Sequence, residues 1–321
     1  MIRVRVNMGK IKTLIRVISD SPQNVGRLAD SKFSKWKISR RIPDSTFLKI
    51  RYHLCTHKRL HLKNPLTFNE KLQWLKLHYF DKQYTILADK YEVKQYIRNN
   101  YPELKTIPTI GVWNRPEEIE FEKLPDKFVL KCTHDTGSII ICKDKKTIDR
   151  DDTIRKLNQA LNRNMYYPGR EWVYKDIKAR IIAEEYLEEL DSSELLDYKL
   201  MCFNGVVKCS FVCSDRFSDA GLHVTFFDRD WNILPFTRHY PRRETGIARP
   251  ANYEKMIVLA EQMSHNMPFV RIDFYEVNNE IYFGEYTFFP GSGLEEFTPE
   301  EWDRILGDWL VLPHPQRQAE I

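Results

Sequence analysis

The tightest constraint on this chain is the run FVRIDFYEVNNEIYFGEYTFF, residues 269–289. Apolar and polar residues alternate on either side of Asn278-Asn279, which predicts a β-hairpin, because successive strand side chains point to opposite faces. Val270, Ile272 and Phe274 then share the face toward a core, while Arg271, Asp273 and Tyr275 share the other. The place of Glu285 depends on the turn. A two-residue loop opposes Asp273 to Gly284 and sends Glu285 to the opposite face, whereas a three-residue loop or a bulge opposes Asp273 to Glu285. In the second case two carboxylates meet and repel unless a cation lies between them, and Mg²⁺ shared with nucleotide phosphates suits such hard oxygen ligands. In the first, the hairpin carries incidental surface acids.

The rest of the chain supplies a mixed α and β setting. TFNEKLQWLKLHYF opens with Thr67 and Glu70 at capping-box spacing and predicts a helix. LADKYEVKQYIRN, residues 87–99, predicts a second helix that stops before Pro102. KFVLKC, THDTG and SIIICKD read as strand, glycine-containing loop and strand, followed by a helix capped near Asp149 or Asp151 and by the apolar strand RIIAEEYL. From about residue 195 strands dominate, interrupted by a helix with Asn252 as its expected cap. A closing helix is expected with Thr298 as cap and Pro299 at its first position.

Charge divides the chain. Residues 1–64 hold 16 Lys and Arg against Asp20, Asp30 and Asp44, a net +13, and the remainder is −8. KIKTLIRVI, residues 10–18, alternates cations with aliphatics, which suits an anionic lipid surface, an acidic partner or the chain's own acidic body. No recognition motif accompanies the charge, so nucleic acid is not an expected partner. His53, His57 and His61 fall four apart, a spacing able to hold a metal on a helix, but Lys58, Arg59 and Lys63 repel cations there and a basic surface helix is the expectation. The six cysteines lack CxxC spacing and sit mostly in apolar runs, which predicts reduced, buried thiols. With no apolar run near the ~20 residues of a membrane span and no signal-peptide pattern, the expected location is cytoplasmic, with contact at the inner membrane face through residues 1–64.

The order RID, Glu285 twelve positions after Asp273, then Thr287 and PGSG, resembles the terminal signature of the ATP-grasp superfamily. More closely, TFNEKLQWLKL, ADKY, FVLKCTHDTGS, DYKLMCFNG and FGEYTFFPGSG together resemble the TupA-like ATP-grasp family, associated with teichuronopeptide and other surface-polysaccharide synthesis, over about residues 65–312. The resemblance implies an α+β fold in which two α+β subdomains clasp ATP between antiparallel sheets, carried behind a basic helical N-terminal extension. It divides the chain into that extension (1–64), an N-terminal subdomain (65–120), a central lid (121–187), a C-terminal subdomain with the metal site (188–313) and a tail (314–321). Lys90 and Lys131 resemble the phosphate lysines, THDTGS with Gly137 and Ser138 the loop that closes on the phosphates, and EEYL with Glu184, Glu185 and Leu187 the adenine hinge. Asp191 resembles the ribose carboxylate, and Asp273, Glu285 and Thr287 the Mg²⁺ site, where Thr287 replaces the usual Asn.

The implied chemistry is an ATP- and Mg²⁺-dependent ligase: a carboxylate takes the γ-phosphoryl group and an amine displaces it to give an amide. Arg271 would stabilise the acylphosphate or tetrahedral intermediate, Lys199 add positive charge, and His134 grip phosphate or acceptor. A uronic-acid glycan or sugar, with an amine or amino acid, is the expected substrate pair. Two other enzyme readings remain: a sugar kinase on the same residues, and a glycosyltransferase using Asp228-Arg229-Asp230, although that triplet follows an apolar strand and precedes Asn232 as a turn would. A third reading is a nucleotide-dependent binding module.

Overall fold

The computed structural model describes residues 22–188, 195–215, 221–243 and 247–315. The run at 10–18 and Asp191 lie outside them. The helices are α1 (Pro22–Lys35), α2 (Asp44–Thr56), α3 (Phe68–His78), α4 (Lys82–Ala88), α5 (Glu92–Asn100), α6 (Arg150–Leu161), a short α7 (Tyr166–Gly169), α8 (Tyr253–Met263) and α9 (Glu301–Trp309). The strands are β1 (Lys105–Thr106), β2 (Thr109–Trp113), β3 (Phe128–Cys132), β4 (Ile140–Cys142), β5 (Ile181–Glu185), β6 (Asp197–Phe203), β7 (Val206–Ser214), β8 (His223–Phe227), β9 (Thr237–Arg238), β10 (Phe269–Val277), β11 (Glu280–Thr287) and β12 (Phe297–Thr298).

Two main sheets result. The larger runs β1-β11-β10-β6-β7-β8 and the smaller β2-β5-β3-β4, with β9 and β12 as a separate pair. All pairings in both main sheets are antiparallel except β1 with β11. The smaller sheet recruits β2 from before residue 121, where it pairs with β5. Its core joins Phe128, Leu130 and Ala183 to Leu157 and Ala160 of α6. Asp149 caps that helix by accepting from the Asp152 N–H at 2.9 Å. The larger sheet buries Val270, Ile272 and Phe274 in one core with Met256, Leu259 and Met263 of α8.

Salt bridges hold residues 22–64 together and dock them on the body. Arg51 holds Asp30 at 2.7 Å, Arg170 holds Asp44 at 2.8 Å, and Lys58 pairs with Glu300. Their apolar contact is Phe47, Leu48, Tyr52 and Cys55 against Leu294 of the body. All six cysteines are free and buried. Among the described residues no helix is long and apolar enough to cross a membrane.

Four local expectations need correction. The helix expected over 87–99 breaks at Asp89, because that carboxylate caps α5 by accepting from the Tyr91 and Glu92 N–H groups at 2.8 and 3.3 Å. Asn252 does stand at the cap position of α8, but its side chain makes no cap bond; its amide donates instead to Glu276 at 2.6 Å. Thr298 belongs to β12 rather than capping α9, whose cap position is Glu300. The three histidines do not share a helical face, because α2 ends at Thr56, His57 turns left-handed (φ 58°) and the His61 imidazole lies 2.9 Å from Glu70.

Candidate active site

The hairpin resolves the open question about Glu285. Asn278 and Asn279 take positive φ (51° and 62°) in a two-residue turn, and a bulge further along opposes Asp273 to Glu285 while Phe274 faces Phe283. Gly284 is the extra residue. A Cβ there would lie 2.9 Å from the Asp273 carbonyl oxygen, so only glycine lets the backbone close at this point. Turn and bulge together move Glu285 to the face of Asp273.

Arg271 joins the two acids. Its Nε and Nη2 donate to the Asp273 carboxylate at 2.6 and 2.7 Å, and Nη2 also donates to Glu285 Oε1 at 2.8 Å. Lys199, opposite Asp273 on β6, donates to Asp273 and lies 2.5 Å from Asp197 Oδ2. The strand register turns Lys199 inward, to 7% exposure, instead of toward solvent. Thr287 donates its hydroxyl to Glu285 at 2.9 Å. Two cations therefore face three carboxylates, and the surplus negative charge suits a bound cation. Among the described residues no group of three or more His, Cys, Asp or Glu forms a self-sufficient metal cage. Mg²⁺ at Asp273 and Glu285 would complete its shell with phosphate oxygens and water, as this ion commonly does.

The ionisation of the cluster follows from its neighbours. Burial pushes the Asp273 carboxyl up, opposed by Arg271 and Lys199. Burial lowers the Lys199 ammonium, but Asp197 and Asp273 outweigh it and raise it above the ordinary lysine value. At Glu285 desolvation opposes the charge, yet Arg271, Lys199 and Lys90 prevail and hold it at about 2. Because 42% of that side chain is exposed, solvent screens much of the effect. A depressed folded value means stability that is present above the unfolded glutamate pKa and lost as pH falls through the folded one. The Glu285→Gln chain is therefore expected to unfold in acid with a shallower pH dependence between about 5 and 2, read by thermal melts across that window.

Lysines gather on and beside the smaller sheet, and one of them, Lys90, couples electrostatically to Glu285. Lys90 sits in the break between α4 and α5; its N–H donates to the Thr133 carbonyl at 3.1 Å and its ammonium to the Asp135 carbonyl. Burial lowers its pKa, Glu285 raises it and Lys131 lowers it, so its amine feels the charges of both sheets. Lys131 on β3 lies 2.5 Å from Glu184 Oε2, and Lys94 the same distance from Oε1. Burial works against the Glu184 charge, but the two lysines more than offset it and depress the carboxyl. The trio keeps one net positive charge. Gly137 at the tip of the loop takes φ 89° with open space around it, a conformation glycine adopts freely. Ser138 Oγ accepts the Cys132 N–H at 2.8 Å and donates to Asp135, closing the loop on itself.

Other expected residues stand apart. The His134 ring is 3% exposed and donates from Nε2 to the Arg163 carbonyl at 3.1 Å, away from the hairpin acids. The Glu185 N–H is taken by the Pro108 carbonyl at 3.1 Å, with Leu187 just beyond the strand end. Asp228 accepts from the N–H groups of Asp230 and Asn232 at 2.9 and 2.8 Å and Arg229 pairs with Glu261, so Asp228-Arg229-Asp230 is a turn. Three participants escaped the sequence reading. Lys94 lies four positions after Lys90, and Asp197 lies two positions before Lys199 on the same strand face; both spacings were available. Lys76 lies on the apolar side of α3, where burial lowers its pKa to about 7. Its ammonium donates to the Gly169 and Ser292 carbonyls at 2.9 Å, pinning the PGSG turn after the hairpin.

Two largely antiparallel sheets, one carrying a lysine and a glycine loop and the other an arginine-bridged acid pair, are the arrangement expected of an ATP-grasp protein. Residues 70–311 match the family described as TupA-like ATPgrasp, and the chain belongs to that family. Among solved structures it is similar to a D-alanine–D-alanine ligase from Bacillus anthracis complexed with ATP, at 16% identity and TM-score 0.40, over 70% of this chain and 65% of that one. The corresponding ligase from Helicobacter pylori matches at 16% and 0.36, over 70% and 62%. A RimK domain ATP-grasp protein from Sphaerobacter thermophilus matches at 11% and 0.37, over 77% and 71%. The chain thus spans slightly under two thirds of either D-alanine–D-alanine ligase. No curated protein sequence matches it.

Proposed function

We propose that the protein is an ATP- and Mg²⁺-dependent carboxylate-amine ligase acting on a carboxylate-bearing glycan or sugar of surface-polysaccharide synthesis. The observation that carries this reading is the Asp273 and Glu285 pair, opposed across the Gly284 bulge and bridged by Arg271. A carboxylate oxygen of the substrate attacks the γ-phosphorus, ADP leaves, an amine attacks the acyl carbon, and phosphate departs with that oxygen. Mg²⁺ would supply charge neutralisation for the phosphates as the bond to ADP breaks.

The chain's residues position and stabilise. Lys90 and Lys131 would draw the phosphates toward the smaller sheet, with the Gly137 backbone close to their oxygens. Lys199 fixes Asp273, Thr287 orients Glu285, and Arg271, with a guanidinium to spare once the acids hold a cation, would meet the charge that develops on the acyl oxygen. This chemistry needs no nucleophilic side chain, and no cysteine is exposed to supply one, since all six are buried.

The family association with surface polysaccharides supports a uronic acid as carboxylate donor and an amino acid or other amine as acceptor. The expected result is Mg²⁺-dependent ADP release stimulated by one uronate glycan together with one amine, with an amide detected by mass. Carboxylate labelled with ¹⁸O should pass label to phosphate. ADP release with a phosphate ester and no label transfer would replace this reading with a sugar kinase.

A further inference from the structure

We propose that the turn between α1 and α2 is a docking surface for an anionic lipid membrane. Two large apolar side chains project there, Trp36 at 64% exposure and Ile38 at 55%. Between residues 31 and 43 the chain carries Lys32, Lys35, Lys37, Arg40 and Arg41, all exposed, and no acid.

What makes this more than a scatter of surface residues is where the neighbouring acids go. Asp30 is buried and accepts both Arg51 nitrogens, at 2.7 and 2.8 Å. Asp44 is held by Arg170 at 2.8 Å and by the Tyr166 hydroxyl. Asp30 is thus spent on joining α1 to α2 and Asp44 on docking the extension to the body, and the outward face keeps cations alone. The aromatic residues divide in the same way. Phe33 turns inward and stacks on Phe47 with centroids 5.2 Å apart, while Trp36 turns out.

The turn is built to hold that orientation. The Trp36 N–H donates to the Phe33 carbonyl at 3.1 Å, and the Trp36 carbonyl accepts from the Ser39 N–H at 3.0 Å and from its hydroxyl at 2.7 Å. Ser39 is fully buried. Arg40 lies over the Tyr167 ring at 4.4 Å, which ties the far side of the turn to the body.

An indole and an aliphatic side chain ringed by cations match the boundary between headgroups and acyl chains, where tryptophan settles and anionic lipids attract lysine and arginine. Nucleic acid would satisfy the cations but offers no hydrocarbon layer for Ile38. The surface is independent of the ligase reading, since its test needs neither nucleotide nor substrate.

Sedimentation of the full chain with vesicles tests it. Vesicles of phosphatidylglycerol in phosphatidylcholine should bind the protein, more weakly as salt rises, and phosphatidylcholine alone should not. Each cation near such a surface changes partitioning about fivefold, so Lys35→Glu with Lys37→Glu should weaken binding at least about twentyfold. Trp36→Ser with Ile38→Ser should weaken it about tenfold and leave the melting temperature unchanged, because both side chains are exposed. The proposal is overturned by a full chain that ignores anionic vesicles, by equal binding to both vesicle types, or by full binding in the Trp36→Ser, Ile38→Ser chain. Binding to duplex DNA without binding to vesicles would also overturn it.

Discussion

Asp273→Asn is expected to cost the protein both its turnover and a large part of its stability. The wild-type carboxylate is 1% exposed and takes three charged hydrogen bonds, two from Arg271 and one from Lys199. The amide keeps the volume and loses the charge, so Arg271 gives up two charged hydrogen bonds and Lys199 one, leaving Glu285 and Asp197 as their remaining acidic partners. Hydrogen bonds to charged groups contribute about 1.5–3 kcal/mol each, and the weakened grip on both cations should lower stability by a few kcal/mol even though each keeps a second acidic partner. Urea unfolding should show that loss, and ADP release should fall at least about a hundredfold. Glu285→Gln provides the contrast. Its side chain is 42% exposed, so the stability change should stay within about 1 kcal/mol while ADP release falls as far. A folded Asp273→Asn chain with undiminished ADP release would remove Asp273 from the metal site, and with it the proposed chemistry.

Much of this cluster is legible in the residue order, and the gaps have physical causes. Strand alternation alone puts Arg271 and Asp273 on one face. The parity of Glu285 is undecidable from spacing, because it rests on Gly284 passing within 2.9 Å of the Asp273 carbonyl, a tertiary close approach. Lys199 illustrates the same limit: alternation says which residues share its face, and only the pairing with β10 says that the face is buried. The break at Asp89 was hidden by helical periodicity on both sides, although an aspartate followed by Lys-Tyr-Glu is also a cap. Thr298 is not the cap of α9, and Asn252 holds the cap position of α8 without the cap bond. Each has the right residue type for a cap, and each is claimed elsewhere, Asn252 by Glu276 and Thr298 by pairing with Thr237. Charge segregation at residues 1–64 foretold a basic extension, but not that Asp30 would pair with Arg51 inside it and Asp44 with Arg170 of the body.

Substitutions at Lys131, Lys94 and Glu184 should separate nucleotide binding from architecture within a single buried trio. Glu184 is 2% exposed and holds one lysine on each oxygen at 2.5 Å. Glu184→Gln leaves two ammonium groups facing each other, and the expected loss is about 3–5 kcal/mol. The two lysines differ in what else they do. Lys94 also donates to the Ile107 carbonyl at 2.6 Å and to Thr109 Oγ1 at 3.0 Å, and so ties α5 to the start of β2. Lys131 has Glu184 as its partner and leaves 19% of its side chain exposed. Lys94→Met should therefore destabilise the fold with little change in nucleotide affinity once the protein is folded. Lys131→Met should cost less stability, because Glu184 keeps Lys94, and should weaken nucleotide binding about tenfold, the equivalent of one charge-assisted hydrogen bond to phosphate. Calorimetric titration with a non-hydrolysable ATP analogue, alongside urea unfolding, reads both quantities. Equal weakening of nucleotide binding by the two lysine variants would mean that Lys131 acts only through Glu184, as part of the scaffold, and the positive charge offered to phosphate would then rest on Lys90 alone.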